Sequence, residues 1–226
     1  MISARILAMS IAWVVMSSSV LSAQDLSRYR EFQLGMSLVA VAQQAGITSE
    51  ARVLHQRPGL IQELMWLPPL GSSRQGDSAR KVLFNGYNGQ LFRIVVNYDR
   101  DRTEGLTAED MVEALSAKYG LATLPTSEIS PSLSWGASND SDKILAAWED
   151  SQYSVKLFRS SHSPTFGLVV FSKQLDALAR AATVKAIRLD AEQAPQREIE
   201  RQPKQTEESR VRQEKARGVN KATFRP

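Results

Sequence analysis

Five oxygen-bearing side chains in the stretch DRDRTEGLTAED have the spacing of a calcium loop. Asp99, Asp101, Thr103, Thr107 and Asp110 fall at positions 1, 3, 5, 9 and 12. The rest of the stretch works against that chemistry. Position 6, where such a loop turns sharply on Gly, is Glu104, and position 12 is Asp rather than the longer, bidentate Glu. Arg100 and Arg102 also cancel negative charge that a dication would need. A strand passing into a capped helix accounts for the same residues, with Thr107 and Asp110 as a capping box. The expectation is therefore no metal site.

Catalytic constellations are equally thin. His55 lies in a strand-like run, and His162 sits in the turn-like SSHSP. A Ser–His pair needs its Ser on a rigid element and an acid to orient the imidazole, and the nucleophile-elbow pattern is missing. Cysteine is absent, which removes disulfides, thiolate zinc sites and thiol catalysis. The reading is a non-enzymatic, cofactor-free chain with no catalytic, cofactor-binding or metal-binding residue.

The elements are easier to read than the chemistry. Arg5 followed by the mostly apolar run Ile6 to Val20 and the small residues of VLSA describes a secretory signal, cleaved after Ala23 or one residue earlier. That run is shorter than the ~20 apolar residues that span a bilayer. The expected location is the periplasm or the exterior. Ser37 caps a short helix with Leu38, Val41 and Ala42 on one stripe, and Gly46 closes it. ARVLHQ and LIQELMW alternate as strands, and GSSRQGDS is a loop. KVLFNGYNGQLFRIVV is a hairpin, because Asn88-Gly89 tolerates the positive φ values of a type I′ turn.

The order then restarts. GLTAEDMVEALSAKYG is a second helix, with Met111, Val112, Leu115 and Tyr119 on one side. LSWGAS, ILAAWED, YSVKLFRS and FGLVVFS read as strands. At a shift of 74 residues the second hairpin, VKLFRSSHSPTFGLVV, repeats Leu83, Phe84, Phe92, Val95 and Val96 as Leu157, Phe158, Phe166, Val169 and Val170. The fold class that follows is α+β: two tandem repeats of a helix packed on an antiparallel β-meander. They are followed by a C-terminal helix and a charged tail. The boundaries fall at 1–23 for the signal, 24–100 and 101–172 for the units, 173–194 for the helix and 195–226 for the tail. Leu175, Leu178, Ala182, Ala186 and Leu189 give that helix its stripe and Pro195 is expected to stop it, the tail beyond being disordered or a solvated helix.

Charge divides the chain the same way. The stretch from Lys173 onward holds 13 Lys and Arg against 8 Asp and Glu, whereas residues 24–172 carry a net charge of −2. A near-neutral body lacks the basic face of a nucleic-acid-binding domain.

Tandem helix-plus-meander units in an exported chain resemble the fold of the β-lactamase inhibitory proteins. FQLGMSLVAVAQQAG is similar to the opening of the small lipoproteins of the outer-membrane assembly machine, which share that unit. The whole chain, with its basic RVRQEKARGVNKATFRP ending, further resembles an uncharacterised family of exported bacterial proteins. The lipidated Cys of those lipoproteins and the disulfides of the inhibitors have no counterpart in this sequence. The resemblance implies a fold and a mode, protein binding through a curved sheet, and supplies no functional residue.

Pairing about Asn88-Gly89 without interruption places Leu83, Phe92, Ile94, Val96 and Tyr98 on a helix-covered side. Phe84, Arg93, Val95 and Asn97 fall on the other, joined in the second hairpin by Phe158, Val169 and Phe171. Those seven residues form the candidate protein interface. An alternative stays open, that the C-terminal helix covers this face. The expected partner is another protein; the tail adds contact with anionic membrane or cell-wall components.

Overall fold

The computed structural model describes residues 25–68, 78–123, 143–160, 165–223 and 225. The expected signal segment, LSWGAS, most of GSSRQGDS and His162 lie outside the described residues. Two short strands, β1 (Arg28–Tyr29) and β2 (Phe32–Gln33), pair with each other and lead into helix α1 (Leu38–Ala45). Strands β3 (Arg52–His55), β4 (Ile61–Trp66), β5 (Ala79–Tyr87) and β6 (Gln90–Tyr98) follow, then helix α2 (Ala108–Tyr119). Strands β7 (Lys143–Glu149), β8 (Tyr153–Arg159) and β9 (Phe166–Ser172) precede the long helix α3 (Lys173–Thr223). The seven strands β3–β9 form one antiparallel sheet in the order β3-β4-β5-β6-β9-β8-β7.

The local signals that the sequence carries are used. Ser37 Oγ accepts from the Ala40 N–H, and Gly46 closes α1 at φ 64°, ψ 29°. Thr107 and Asp110 complete a capping box on α2. Asn88 (φ 50°) and Gly89 (φ 80°) make the β5–β6 turn, and the backbone of Asn88 and its side chain both bond to Leu60. Gly86 is required by packing: a Cβ there would lie 2.2 Å from Leu38 Cδ1, so α1 can rest on the hairpin only above a glycine.

α1 and α2 cover one face of the sheet. Leu38, Val41, Met111 and Tyr119 pack there on Val82, Phe84, Ile94, Val96, Val155, Leu157, Leu168 and Val170. β1–β2 closes the same core through Phe32, whose ring lies 4.6 Å from that of Phe84. The start of α3 covers the opposite face, resting on β6 and β9, with Ala179, Ala182 and Ala186 buried.

The two halves meet in the middle of the sheet, where β6 pairs with β9. Val95 stands opposite Val169, its counterpart at the 74-residue shift, with Ile94↔Val170 and Val96↔Leu168 on either side.

Three expectations are corrected. Phe84 and Leu83 exchange faces, because the β5–β6 pairing jumps from Gly86↔Leu91 to Asn85↔Arg93 and leaves Phe92 as an extra residue. Phe84 therefore enters the main core, and Leu83 joins the face of Val95. Pro195 does not end the last helix; α3 continues through Pro195 and Pro203. Leu178 is 47 % exposed, and the contact with the sheet is made by alanines, which let the helix axis come close.

Candidate functional site

The α3-covered face carries a row of residues, polar except for Phe171, that crosses the sheet. Arg52, Glu63, Asn85, Arg93, Phe171, Ser154 and Glu149 stand opposite one another, strand by strand, from β3 to β7. An Arg in the middle of the apolar LFRIVV has to bury its guanidinium, and a buried cation needs a counter-charge. α3 supplies it. Arg93 Nη2 donates to Asp176 Oδ1, with side-chain exposures of 1 % and 7 %. The second oxygen of Asp176 accepts from Arg180 Nε at 2.7 Å, one helical turn further on. Burial pushes the Arg93 guanidinium down to about 10; Asp176 opposes that shift and Arg180 adds to it. It remains a cation at neutral pH.

On either side the row satisfies itself. The Asn85 amide donates to Glu63 Oε2 at 3.2 Å. The Ser154 hydroxyl donates to Glu149 Oε1 at 2.7 Å, and Lys156 and Lys173 lie 3.5 and 3.3 Å from the same carboxylate. Ser154 is fully buried and so meets no substrate. The arrangement acts as an ionic clamp that fixes the start of α3 on the sheet.

The seven interface residues predicted from sequence divide accordingly. Val95, Phe158 and Val169 form a buried apolar cluster, flanked by half-buried Leu83 and Phe171. Arg93 is beside them under Asp176, and its guanidinium lies 5.6 Å from the centre of the Phe171 ring. Lys156 Nζ is 5.8 Å from that ring. Asn97 is half-buried. Phe84 is on the other face. The residue that sequence reasoning missed is Asp176, whose signal was an acid in the first turn of α3, four residues before Arg180.

The calcium-like stretch is occupied by its own turn. Asp99 Oδ1 accepts from the N–H groups of Asp101 and Arg102, and Thr103 Oγ1 donates to the Asp99 carbonyl. Asp110 Oδ2 accepts from both the N–H and the hydroxyl of Thr107. Among the described residues no group of three or more His, Cys, Asp or Glu is placed to hold a metal ion. No described helix is long and apolar enough to cross a membrane. His55 is half-buried in β3.

No family model, no curated protein and no solved structure matches this chain.

Proposed function

We propose that the protein is a non-enzymatic, exported protein-interaction module whose partner binds the part of α3 that extends past the sheet. The sheet face expected to bind is already occupied by the start of that helix. One observation carries the reading: every residue from Ala194 to Lys221 with a described side chain is exposed. At a helical rise of ~1.5 Å per residue this arm is about 40 Å long.

Energetics support a partner along it. Pro195 and Pro203 remove the N–H donors for the carbonyls of Ala191 and Ile199, and an interior proline costs ~3 kcal/mol of helix stability. The arm's ion pairs, such as Arg201–Glu198 and Arg210–Glu214, are surface pairs that stabilise a helix far less than one proline destabilises it. Ile199, Val211 and Val219 are exposed along it. A charged segment of this kind gains its ordering energy from what it binds.

The tandem-unit reading belongs to this proposal. It is supported by the central ladder, in which Val95 faces its own counterpart Val169, and by the matching order of β4-β5-β6 and β7-β8-β9 about that ladder.

The test is capture from envelope extract by the mature chain and by a chain ending at Ala194, both with the same unfolding midpoint. The expected result is a partner held by the first and released by the second, with helicity rising on binding. A partner retained by the shortened chain sinks the arm as the site.

A second reading has its own observation. Arg210, Arg212, Lys215, Arg217, Lys221 and Arg225 crowd the tip of the arm, where Glu214 is the one acid after Glu208 and Arg210 is shared between Glu207 and Glu214. This favours an envelope-associated structural protein whose tip contacts anionic membrane or cell-wall components. Binding to anionic vesicles that falls steeply with salt, with no protein captured, would select it.

A further inference from the structure

The arm carries its charges everywhere except along one stripe. From Ile199 to Thr223, alternate steps of three and four residues meet eight positions, none of them charged, although 11 of the 25 residues in that stretch are charged. Steps of four carry the stripe back through Pro195 and Ala191 to the exposed Ile187. Alternating threes and fours are the spacing of a coiled-coil seam, with Ile199, Thr206 and Gln213 at a and Gln202, Ser209 and Ala216 at d.

The shape of the helix follows that seam. A hollow on its surface is lined by Gln202, Gln205, Thr206, Ser209, Arg210 and Gln213, which are the a, d, e and g positions that together receive a facing side chain. The threonines also present less polarity than their composition suggests. The Thr206 hydroxyl donates to the Gln202 carbonyl at 2.9 Å and the Thr223 hydroxyl to the Val219 carbonyl at 3.2 Å, which leaves their methyl groups for a neighbour.

Charge selects the neighbour, because e and g positions set which helices pair and in which direction. If two of these arms ran parallel, each Arg212 at g would meet Arg217 at e of the other. Antiparallel helices place g against g. With Ile199 opposite Ser209 of the second copy, Ile199 enters the hollow and Glu198 faces Arg212 of the second copy. Gln205 faces its own counterpart, and the two-fold axis repeats every contact. Glu198 already touches Arg201 on its own helix, so the cross-pair extends an existing one. One heptad further in register Glu198 loses Arg212, and two heptads further Arg212 meets itself.

We infer that the arm pairs with the arm of a second copy, antiparallel and in this register. The inference rests on the reading of the arm as the binding site and names its occupant. Apolar burial along the seam is modest, so the dimer forms with rising concentration and weakens with salt.

The test begins with sedimentation equilibrium. Residues 24–226 should show a monomer–dimer equilibrium that the chain ending at Ala194 lacks. Ser209→Glu puts a charge into the hollow and should weaken association about tenfold or more. Val211→Glu lies off the seam and should leave it unchanged. Both side chains are exposed in the single chain, so neither variant should move the main unfolding midpoint. The absence of native cysteine then allows the register to be read by mixing Ile199→Cys and Ser209→Cys chains in a glutathione buffer. The mixed disulfide should dominate, because a parallel pair holds those positions about 15 Å apart along the axis. Dominant self-disulfides, equal losses in Ser209→Glu and Val211→Glu, or a monomer at every concentration overturn the pairing. A monomer that still captures an envelope protein through residues 195–226 overturns the pairing and leaves the arm as the site of a different partner.

Discussion

At the scale of the residue, the decisive contact is Arg93 with Asp176. Removing one member of a buried pair strands the other, and that loss is typically ~3–5 kcal/mol. Asp176→Ala should therefore lower stability by about that amount in urea denaturation. Arg180→Ala should cost far less, because its side chain is 36 % exposed. The double variant Arg93→Met/Asp176→Leu should recover most of the loss, since an apolar pair of similar volume replaces two desolvated charges.

Glu149 gives a pH signature. Burial alone would raise its carboxyl, but the Ser154 hydroxyl, Lys156 and Lys173 together hold it below its ordinary 4.5. A carboxyl whose folded pKa is depressed contributes stability above its unfolded value and loses it as pH falls through the folded one. Glu149→Gln should then lower the urea midpoint at neutral pH, and the difference should shrink as pH falls below 4.5 and be lost below the depressed folded value. The sequence placed Arg93 on a candidate interface, whereas the structure buries it under α3. Its partner was not legible, because 83 residues separate the two and no local pattern joins them.

At the scale of the element, caps and turns were legible and registers were not. Ser37, Gly46, Asn88-Gly89 and the Thr107–Asp110 box are local chemistry, and each does in the structure what its residue type dictates. Thr107→Ala should cost ~1 kcal/mol by chemical denaturation. The bulge at Phe92 follows from tertiary packing: it lets Leu91 face α1 while Arg93 faces α3. That one extra residue separates two aligned phenylalanines. Phe84 goes to one face and Phe158 to the other. Deleting Phe92 should make the pairing uninterrupted while keeping Gly86↔Leu91, Asn85↔Arg93 and Phe84↔Ile94 and leaving Phe84 in the core. Unfolding followed by circular dichroism should stay cooperative, with a midpoint lowered by the loss of one buried ring. The same local logic overstated Pro195. α3 carries both prolines in its exposed part, where each removes a single bond and no packing is broken. Replacing both with Ala should raise helicity at 222 nm and leave the main unfolding midpoint where it was.

At the scale of the whole molecule, the body and the arm are energetically separate. Removing 195–226 takes away no buried side chain among those described, so the main midpoint should not move in a thermal scan. The antiparallel α+β class was legible because helix and strand periods alternate along the chain, and the joining of the halves was not, because strand order is a long-range choice.

That joining has a consequence for how the molecule can be made. β9, the last strand to be synthesised, lies beside the middle of the sheet, and β6 has no neighbour on that side until residues 166–172 exist. Throughout elongation the nascent hairpin offers an open, apolar edge, LFRIVV, to any other chain in the same condition. Closure of the sheet therefore waits until β9 has been made, and a ribosome-released fragment ending before Phe166 is expected to self-associate through that edge.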